Sequence, residues 1–299
     1  MMRILTLAIL VGALWFILNA CSTQSSLEKL KSDIITELGK TDGDFAIAFK
    51  DLTTGEQILI NEKEVFHAAS TMKTPVMIEV YRQAAKGILS LSDSVEVVNE
   101  FKSIVDGSTF SLNIVDDSEE ELYHQLGSRK TIGELVYDMI IVSSNLATNL
   151  VIELVDAKKV TQTMRDLGAQ DIMVLRGVED QKAFDQGMSN TTTAYDLMVI
   201  FEKLAGGKAV DAESDQQMIK ILLDQKFNEI IPARLPDDVK VAHKTGSITG
   251  VQHDSGIVIL PDGRKYVLVT LSKNLKDVDG GIAAMATVSE MIYLNLIKS

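Results

Sequence analysis

The chain has 299 residues, of which 46% are hydrophobic and 24% charged, a composition that is ordinary for a globular protein with a substantial core. Its formal net charge of −13 at pH 7 argues against binding to nucleic acid or electrostatic adsorption to an anionic membrane, because those surfaces carry the same sign of charge. The four histidines and the single cysteine form no cluster with metal-ligand spacing, and there is no glycine-rich phosphate loop, so neither a metal nor a cofactor is expected.

The N-terminus has the layout of a signal peptide, in which one cation, Arg3, precedes an apolar run from Ile4 to Leu18. That run is short for a helix that spans a bilayer. The LNAC that follows resembles a bacterial lipobox, although Asn19 is not the usual small residue. The resemblance implies export, cleavage before Cys21 and a lipid anchor on that cysteine as the only membrane contact. An uncleaved N-terminal anchor is the alternative, and in both cases the folded part lies outside the cytoplasmic membrane, in a periplasmic or extracytoplasmic location.

The residues that follow are predicted to form a helix, two strands and a second helix. Apolar residues at 27, 30, 34, 35 and 38 predict an amphipathic helix from Ser26 to Leu38. FAIAFKDL and EQILIN predict two strands joined by a tight turn at TTG. A helix that contains Ser70 is predicted to run to about Gly87, with Pro75 in or near its first turn, where a missing N–H costs least.

Residues 88 to about 200 are predicted to be mainly helical. TIGE at 131–134 is a capping box that opens a helix to Ile140, and Asn145 to Val155 forms another. NTTTAYDLMVIFEKLAGG predicts a third helix, capped among its threonines and closed by glycines. DDSEEE at 116–121 is interpreted as a solvated acidic loop without a functional role.

From Val239 the pattern returns to strands, in VKVAHKTG, HDSGIVIL and KYVLVTLS, and a helix from about Gly281 to Leu296 closes the chain. Strands at both ends and helices between them predict one sheet built from both termini, with an inserted helical part. A cleft between these two parts is the natural place for a site. We therefore divide the chain into a signal peptide (1–20), a tether (21–25) and one folded unit (26–299), with an α/β part at about 26–87 and 210–299 and an all-α part at about 88–209.

A serine and a lysine lie three positions apart in HAASTMKTP. On a helix Ser70 and Lys73 share a face, so their side chains are expected to touch. A serine hydroxyl is a poor nucleophile until a base takes its proton, and a desolvated lysine can be that base. A serine that caps the helix and a lysine exposed to solvent would give the same sequence, so the Ser-Lys pair alone does not establish a catalytic role.

Two further motifs lie at the ends of predicted elements. VSSN at 142–145 presents a serine and an asparagine at a helix junction, and HKTGS at 243–247 lies at the end of a predicted strand. Each is common by itself, but all three motifs in this order, on these elements, are hard to attribute to chance. The histidines that flank the last motif, His243 and His253, are interpreted as structural residues with satisfied hydrogen bonds.

The three motifs together resemble the Ser-x-x-Lys, Ser-Asp-Asn and Lys-Thr-Gly signature of class A β-lactamases and penicillin-binding proteins. The chain is similar to a class A β-lactamase from about residue 26 to its end, most closely in AHKTGSITGVQHDSGIV and in NTTTAYDL, which resembles the segment after the family's Ω loop. Ser144 stands where aspartate is usual, and residues 101–130 are longer than typical. The resemblance implies an α/β (α+β) fold, with an antiparallel sheet from both chain ends, flanking helices and an inserted all-α subdomain.

The resemblance also assigns roles to the motif residues. Ser70 would attack the lactam carbonyl, Lys73 would take its proton, and Ser143, between Lys73 and Lys244, would relay a proton to the leaving nitrogen. The backbone N–H groups of Ser70 and Ser247 would form the oxyanion hole. The substrate-binding residues implied by the family are Asn145, for the side-chain amide, and Lys244, Thr245, Gly246 and Ser247, for the carboxylate.

The family hydrolyses its acyl-enzyme with a glutamate on the Ω loop, which is paired with an asparagine four residues further on. In LRGVEDQKAFDQGMSNTTT, Glu179 follows Arg176 with one more residue between them than usual, and Ala183 falls at the asparagine position. The loop is also slightly shorter and lacks the usual proline. Glu179 is the predicted deacylation base, with Asp180 and Asp185 as alternatives. Solvated loop charges are the other interpretation of Glu179 and Asp180.

The sequence therefore predicts an exported, monomeric serine hydrolase that opens the ring of a small-molecule β-lactam and so confers antibiotic resistance. One alternative is a penicillin-binding D-alanyl-D-alanine peptidase or transpeptidase, which shares the acylation chemistry and lacks efficient deacylation. Another is a non-hydrolytic sensor of β-lactams or muropeptides, which is acylated once and recognised by a partner.

Overall fold

The computed structural model describes residues 26–297. The predicted signal peptide, Cys21 and the tether lie outside the described residues. The strands of the described part are β1 (Asp44–Asp51), β2 (Gln57–Ile60), β3 (Phe66–His67), β4 (Ser94–Glu96), β5 (Phe101–Lys102), β6 (Thr109–Phe110), β7 (Arg129–Thr131), β8 (Thr191–Thr192), β9 (Lys240–Ile248), β10 (Val251–Ile259) and β11 (Lys265–Lys273). The α-helices are α1 (26–38), α2 (Lys73–Ala85), α3 (Ile132–Ile141), α4 (Asn145–Val155), α5 (Ala157–Leu167), α6 (Gln181–Asp185), α7 (Ala194–Ala205), α8 (Ala212–Leu223) and α9 (Val278–Leu296). Short 3₁₀ helices cover Ala69–Met72, Ile114–Asp116 and Glu121–Gln125.

Five strands form one antiparallel sheet in the order β2-β1-β11-β10-β9. The first two strands of this order come from the N-terminal part of the chain and the other three from the C-terminal part, so the prediction of one sheet built from both ends is confirmed. Strand β9 lies at an edge, where half of its backbone groups have no strand partner. That edge faces the helical part of the molecule through contacts with α8 and with the 3₁₀ helix Ala69–Met72.

The two faces of the sheet belong to different hydrophobic clusters. Along β1, Phe45, Ile47 and Phe49 pack into the cluster that contains residues of α1 and α9. Ala46 and Ala48, which alternate with them, pack into the cluster formed with α2, α4 and α7. Alternation follows from the period of two along a strand. The small alanine side chains let α7 approach the sheet closely, and this brings the helical part against β1, β10 and β11.

Helix α2 runs through the middle of the helical part. Every residue from Lys73 to Tyr81 is buried, because α3, α4, α5 and α8 surround the helix. Its polar residues Lys73 and Glu79 are buried there together with the apolar ones. The capping box predicted at TIGE is present, since Thr131 and Glu134 each accept the other's backbone N–H. The predicted bounds of α4 are confirmed as well.

The prediction of a mainly helical segment is wrong for residues 88–131. This stretch contains two small antiparallel pairs, β4 with β7 and β5 with β6, together with two 3₁₀ helices. Gly107 and Gly127 adopt φ values of 71° and 80°, which suit turns and interrupt any longer helix. The segment is therefore a set of loops and short hairpins lying against the helices.

Helix α9 begins three residues before the predicted start. The side chain of Asp277 accepts the backbone N–H of Gly280, so it caps the helix ahead of the first apolar repeat. Within residues 26–297, no helix has both the length and the apolar character needed to cross a bilayer.

Candidate active site

Ser70 lies in the 3₁₀ helix Ala69–Met72, which leads directly into α2. Ala69 adopts φ 44°, and its N–H donates to Nδ1 of His67 at 3.0 Å, which holds the strained turn. A Cβ atom on Gly246 would lie 3.0 Å from the Ser70 nitrogen and 3.1 Å from the Thr71 nitrogen. Only glycine permits this approach, so the edge strand β9 packs directly on the turn that carries Ser70.

The Lys73 side chain is completely buried. Its Nζ donates to the backbone oxygen of Ser143 at 2.6 Å, to Ser143 Oγ at 3.1 Å and to Asn145 Oδ1 at 2.9 Å. These three acceptors use all three protons of an ammonium group. The sequence analysis expected the Ser70 and Lys73 side chains to touch, but no hydrogen bond joins them in the described part of the chain. The hydrogen-bond partners of Lys73 lie between the end of α3 and the start of α4.

Lys244, on β9, reaches the same serine. Its Nζ donates to Ser143 Oγ at 3.0 Å and to the backbone oxygen of Thr245 at 2.9 Å. Ser143 Oγ therefore accepts from both lysines, and its own proton remains available for donation. The prediction that Ser143 bridges Lys73 and Lys244 is confirmed in its geometry.

Burial shifts the proton affinity of both lysines. It lowers the pKa of Lys73 to about 7, against the opposing effect of the Asp117 and Glu179 carboxylates. It also takes the pKa of Lys244 well below its usual value, and the charge of Lys73 lowers it further. Two cations that share one hydroxyl repel each other, so the neutral amine is accessible near neutral pH. A neutral buried lysine can act as a base.

Glu179 stands on the other side of Asn145. Its Oε1 accepts from Asn145 Nδ2 at 2.8 Å, so the asparagine joins Lys73 and Glu179 through the two ends of one amide. Burial raises the pKa of Glu179, and the hydrogen bond from Asn145 partly opposes this shift. The residue has φ 61°, an uncommon conformation that the rest of the loop must maintain.

The segment from Arg176 to Asn190, here called the Glu179 loop, is held by amide side chains that the sequence analysis did not single out. Asn149 of α4 accepts from the Val178 N–H at 2.7 Å and donates to its carbonyl at 3.1 Å. A Cβ on Gly177 would lie 2.2 Å from Asn149 Oδ1, so this contact requires glycine. An asparagine on the buried face of an apolar helix was the signal that could have identified this residue.

The two alternatives to Glu179 have other hydrogen-bond partners. Asp180 is buried, and its carboxylate accepts from Ser103 Oγ at 2.9 Å, the Ile104 N–H at 2.9 Å and the Ala183 N–H at 3.1 Å. Asp185 is exposed and bonds to Gln181 on the same short helix. Ala183 is fully buried and contributes only packing. The interpretation of Asp180 as a solvated charge is therefore wrong, since it anchors the Glu179 loop to the turn that follows β5.

The interpretation of residues 116–121 as a solvated loop is wrong for Asp117. Its carboxylate accepts from the backbone N–H groups of Asn145 and Leu146 and from the hydroxyl of Tyr123. Nothing in the sequence separates this aspartate from the five neighbouring residues of DDSEEE. The contact joins positions 28 residues apart, which local patterns do not reveal.

His243, on β9, and His253, on β10, have the structural role that the sequence analysis assigned. Both are buried, and His243 lies between Asp254, at 2.9 Å, and Asn228, at 3.2 Å. The ring nitrogens of His253 lie 2.8 Å from the Gln252 carbonyl and 2.9 Å from that of His67. In residues 26–297, no group of three or more His, Cys, Asp or Glu side chains is arranged to hold a metal ion.

One cavity of about 670 Å³ connects these groups, with Ser70, Asn145, Glu179 and Ser247 on its walls. This volume suits a small organic ligand. Thr245 and Gly246 precede Ser247 on the edge strand, and Ser247 Oγ accepts from Gln252 Nε2 at 2.8 Å. A hydroxyl and a half-buried carboxylate on the wall of one small-molecule cavity, with a buried amine of lowered pKa three residues from the hydroxyl, are the requirements of acyl transfer to serine followed by hydrolysis. The fold and the site thus define a serine hydrolase.

Comparison with known proteins specifies the family. The family model described as "Beta-lactamase enzyme family" matches residues 29–296. The extended-spectrum β-lactamase PER-1 of Pseudomonas aeruginosa is 25% identical over 228 residues, which cover 73% of this chain and 71% of that protein. The chain belongs to the β-lactamase enzyme family, as a class A serine β-lactamase.

Solved structures agree with this assignment. A β-lactamase from Sphaerobacter thermophilus DSM 20745 is 26% identical and superposes with a TM-score of 0.75, over 89% of this chain and 97% of its own. A variant of PBP-A, solved as an acyl-enzyme complex with penicillin G, is 25% identical with a TM-score of 0.77, over 91% and 97% of the two chains. The fold is thus shared by β-lactamases and by a penicillin-binding protein.

Proposed function

We propose that this β-lactamase opens its substrate through an acyl-enzyme on Ser70, with Lys73 as the base. The observation that carries the proposal is the buried Lys73–Ser143–Lys244 chain of hydrogen bonds, which ends beside the turn that bears Ser70. A buried lysine pair has no structural reason to persist, because apolar side chains would fill the same space without the cost of desolvation. The need for an accessible neutral amine explains why two lysines are buried at this position.

In the proposed acylation, Ser70 Oγ attacks the lactam carbonyl carbon and its proton passes to the neutral Nζ of Lys73. Because all three hydrogen bonds of Lys73 point to Ser143 and Asn145, the amine must turn away from one of these acceptors to face Ser70. The carbon–nitrogen bond then breaks, and the leaving nitrogen takes the proton of Ser143 Oγ, which Lys73 restores.

The developing oxyanion is proposed to bind the backbone N–H groups of Ser70 and Ser247. The close contact between Gly246 and the Ser70 turn supports this pairing, since it brings the edge strand and the turn together. The substrate carboxylate is proposed to bind Lys244, Thr245, Gly246 and Ser247, and the substrate's side-chain amide to bind Asn145. A lysine at this position suits an anionic substrate in an otherwise acidic protein.

Deacylation is proposed to use Glu179 as general base. Its carboxylate takes a proton from water, the resulting hydroxide attacks the Ser70 ester, and Ser70 leaves with a proton returned to its oxygen. Glu179 is supported by its place on the cavity wall and by its hydrogen bond to Asn145, which is already tied to Lys73. With Ala183 at the position of the family's asparagine, no side chain there can help to hold the water.

The second candidate is a penicillin-binding peptidase or transpeptidase. The likeness to PBP-A favours it, because that structure holds penicillin G as an acyl-enzyme. A peptidase would share every step up to acylation, so the difference lies in the lifetime of the β-lactam ester.

Export and lipidation are part of the proposal for the whole protein. The short apolar run and the lone Cys21 support cleavage before that residue, a lipid anchor and a monomeric catalytic part outside the cytoplasmic membrane. Because Trp15 is the only tryptophan, the mature protein should lack tryptophan. Mass spectrometry of protein from its native membrane tests this, and recovery of peptides that contain Trp15 would rule out the cleavage.

The test of the proposed function is mass spectrometry of the mature protein at a series of times after mixing with penicillin G. A transient adduct on the peptide that contains Ser70, with hydrolysed penicillin accumulating, is the expected result. A persistent adduct without turnover would favour the peptidase or the non-hydrolytic sensor. The absence of any adduct would overturn the proposal.

A further inference from the structure

Helix α4 begins with two backbone N–H groups that neither the helix nor its N-cap residue satisfies. The first four N–H groups of an α-helix have no intrahelical partner. The outer two of these four are satisfied locally, because the Ser144 N–H donates to the Asp138 carbonyl and the Ala147 N–H donates to Ser144 Oγ, each at 3.2 Å. The N–H groups of Asn145 and Leu146 remain. The first turn of α4 contains no acidic residue, and Ser144 replaces the aspartate usual in the family with a neutral cap.

A carboxylate from a distant loop binds both remaining groups. The Asp117 oxygens each accept from the Asn145 N–H at 2.9 Å, and Oδ2 also accepts from the Leu146 N–H at 3.0 Å. Tyr123, on the same loop, donates its hydroxyl to Oδ2 at 2.9 Å. An anion at the N-terminus of a helix is stabilised by the helix dipole, and hydrogen bonds to a charged acceptor are stronger than neutral ones.

The next loop residue binds the other side of the same turn. Ser118 Oγ donates to the carbonyl of Val142 at 2.7 Å, where α3 has just ended. Consecutive residues of the loop thus hold both sides of residues 142–146, here called the α3–α4 corner. Between these two attachments lies Ser143, at φ 58°, a conformation that a residue other than glycine adopts only when its surroundings enforce it.

The α3–α4 corner provides every acceptor of the Lys73 ammonium group, through Ser143 and Asn145. It also provides the amide that bonds to Glu179. A shift of the corner would therefore displace the proton relay and the deacylation base together. The loop that holds the corner belongs to residues 101–130, the part that is longer than typical for the family.

We propose that Asp117, assisted by Ser118, is a positioning residue of the active site, which holds the α3–α4 corner so that Ser143 and Asn145 meet Lys73. The inference rests on the proposed function for its kinetic consequences and on the hydrogen bonds alone for its structural ones. Asp117 also acts through its charge. The anions that face Lys73 are Asp117 and Glu179, the facing cation is Lys244, and both carboxylates raise the pKa of the lysine.

Two substitutions of Asp117 separate the effect of its hydrogen bonds from the effect of its charge. Asp117→Asn removes the charge and keeps an oxygen that can accept from the helix N–H groups, whereas Asp117→Ala removes both. Glu120→Gln, at an exposed position of the same loop, is the matched control because it removes one negative charge without touching the corner. Removing an anion near an ammonium group favours the neutral amine, so the midpoint of the acylation rate against pH should fall by about one pH unit in both Asp117 variants.

The experiment has two arms, both on the full mature protein. The first measures hydrogen exchange at the Asn145 and Leu146 amides, where Asp117→Ala should lose roughly tenfold or more of the protection that wild type and Glu120→Gln retain. The second measures Ser70 acylation by penicillin from pH 5 to 9. Here Asp117→Ala should be slowed about tenfold at its best pH, while Asp117→Asn should mainly shift the midpoint.

Unchanged amide protection in Asp117→Ala would overturn the positioning role. A midpoint that moves equally in Glu120→Gln would overturn the specific effect of the Asp117 charge. If wild type forms no adduct, the proposed function fails, and the exchange arm still decides whether Asp117 holds the corner. If Asp117→Ala does not fold, Asp117→Asn is used to test the proposal. A lower midpoint and a partial loss of amide protection in that variant would support it, and the absence of both would overturn it.

Discussion

The acylation groups and the Glu179 loop are built in different ways. Lys73 and Lys244 project from a buried helix and a sheet strand, and Ser143 lies between them at a helix–helix corner. Glu179 lies in irregular backbone that individual side chains hold, among them Asn149 and Asp180. Regular elements are positioned by many packing contacts, whereas the loop depends on a few hydrogen bonds with a net contribution of about 1 kcal/mol each.

This difference implies that the two chemical steps respond differently to substitution. Changes around the Glu179 loop should affect deacylation and leave acylation nearly intact. Changes to the buried lysine–serine chain should affect acylation first. The predictions below test that separation, in order of decreasing effect.

Ser70→Ala should abolish covalent labelling by a fluorescent penicillin while the protein still folds. No other described hydroxyl combines the cavity, the turn and the nearby lysine base, and removal of a partly exposed hydroxyl costs about 1 kcal/mol at most if it caps the helix. Gel fluorescence and circular dichroism measure the two outcomes. Ser111→Ala, at an exposed position, is the control. Undiminished labelling of the Ser70 variant would refute its assignment as nucleophile.

Glu179→Gln should stall the enzyme after acylation. General-base catalysis contributes about 10²–10⁴-fold, so stopped-flow hydrolysis of a chromogenic cephalosporin should show a normal burst of about one equivalent and then a nearly flat steady state. Asp185→Asn, on the same loop but exposed, should behave like wild type. A steady-state rate equal to wild type in the Glu179 variant would make this residue a bystander.

The pH dependence of acylation should reflect Lys73. The base is the neutral amine, which predominates above its lowered pKa of about 7, so the acylation rate should fall as pH falls through that value. Between pH 8 and pH 6 the expected loss is about tenfold. Single-turnover mixing with penicillin measures the rate before deacylation contributes. An acylation rate that stays flat over this range would show that a base other than Lys73 takes the proton.

Asp180→Ala should produce the smallest of the four effects, confined to the loop. It leaves the Ile104 N–H and the Ser103 hydroxyl without their partner, which should lower the free energy of unfolding by about 1–3 kcal/mol. Deacylation should slow several-fold, and acylation should stay within about twofold of wild type. Chemical denaturation and stopped-flow kinetics measure both. Asp106→Asn, which alters only the exposed contacts with Lys182 and the Ser108 N–H, should change neither quantity.

A comparable loss of acylation in Asp180→Ala would contradict the separation between the two regions. It would show that displacement of the Glu179 loop reaches Lys73 through Asn145, which bonds to both Lys73 and Glu179.

Local patterns in the sequence determined most of the elements and the residues proposed for acylation. Strand alternation located the sheet from both chain ends, and caps such as Thr131 and Thr193 located helix starts, because period and capping depend on residues a few positions apart. The three short motifs lie at element ends, so Ser70, Lys73, Ser143 and Lys244 could be named before their distances were known. Residues 88–131, rich in turns, had no such period, and their helical prediction was wrong.

Only the tertiary structure decided which acids and amides serve the site. Asp117 meets Asn145 across 28 residues of chain, and Asp180 meets Ser103 across 77. In the sequence both aspartates are indistinguishable from solvated loop charges. Their partners are backbone N–H groups and hydroxyls, which occur throughout the chain and leave no local pattern. Which of several neighbouring acids binds them depends on how distant loops pack against α4 and the Glu179 loop.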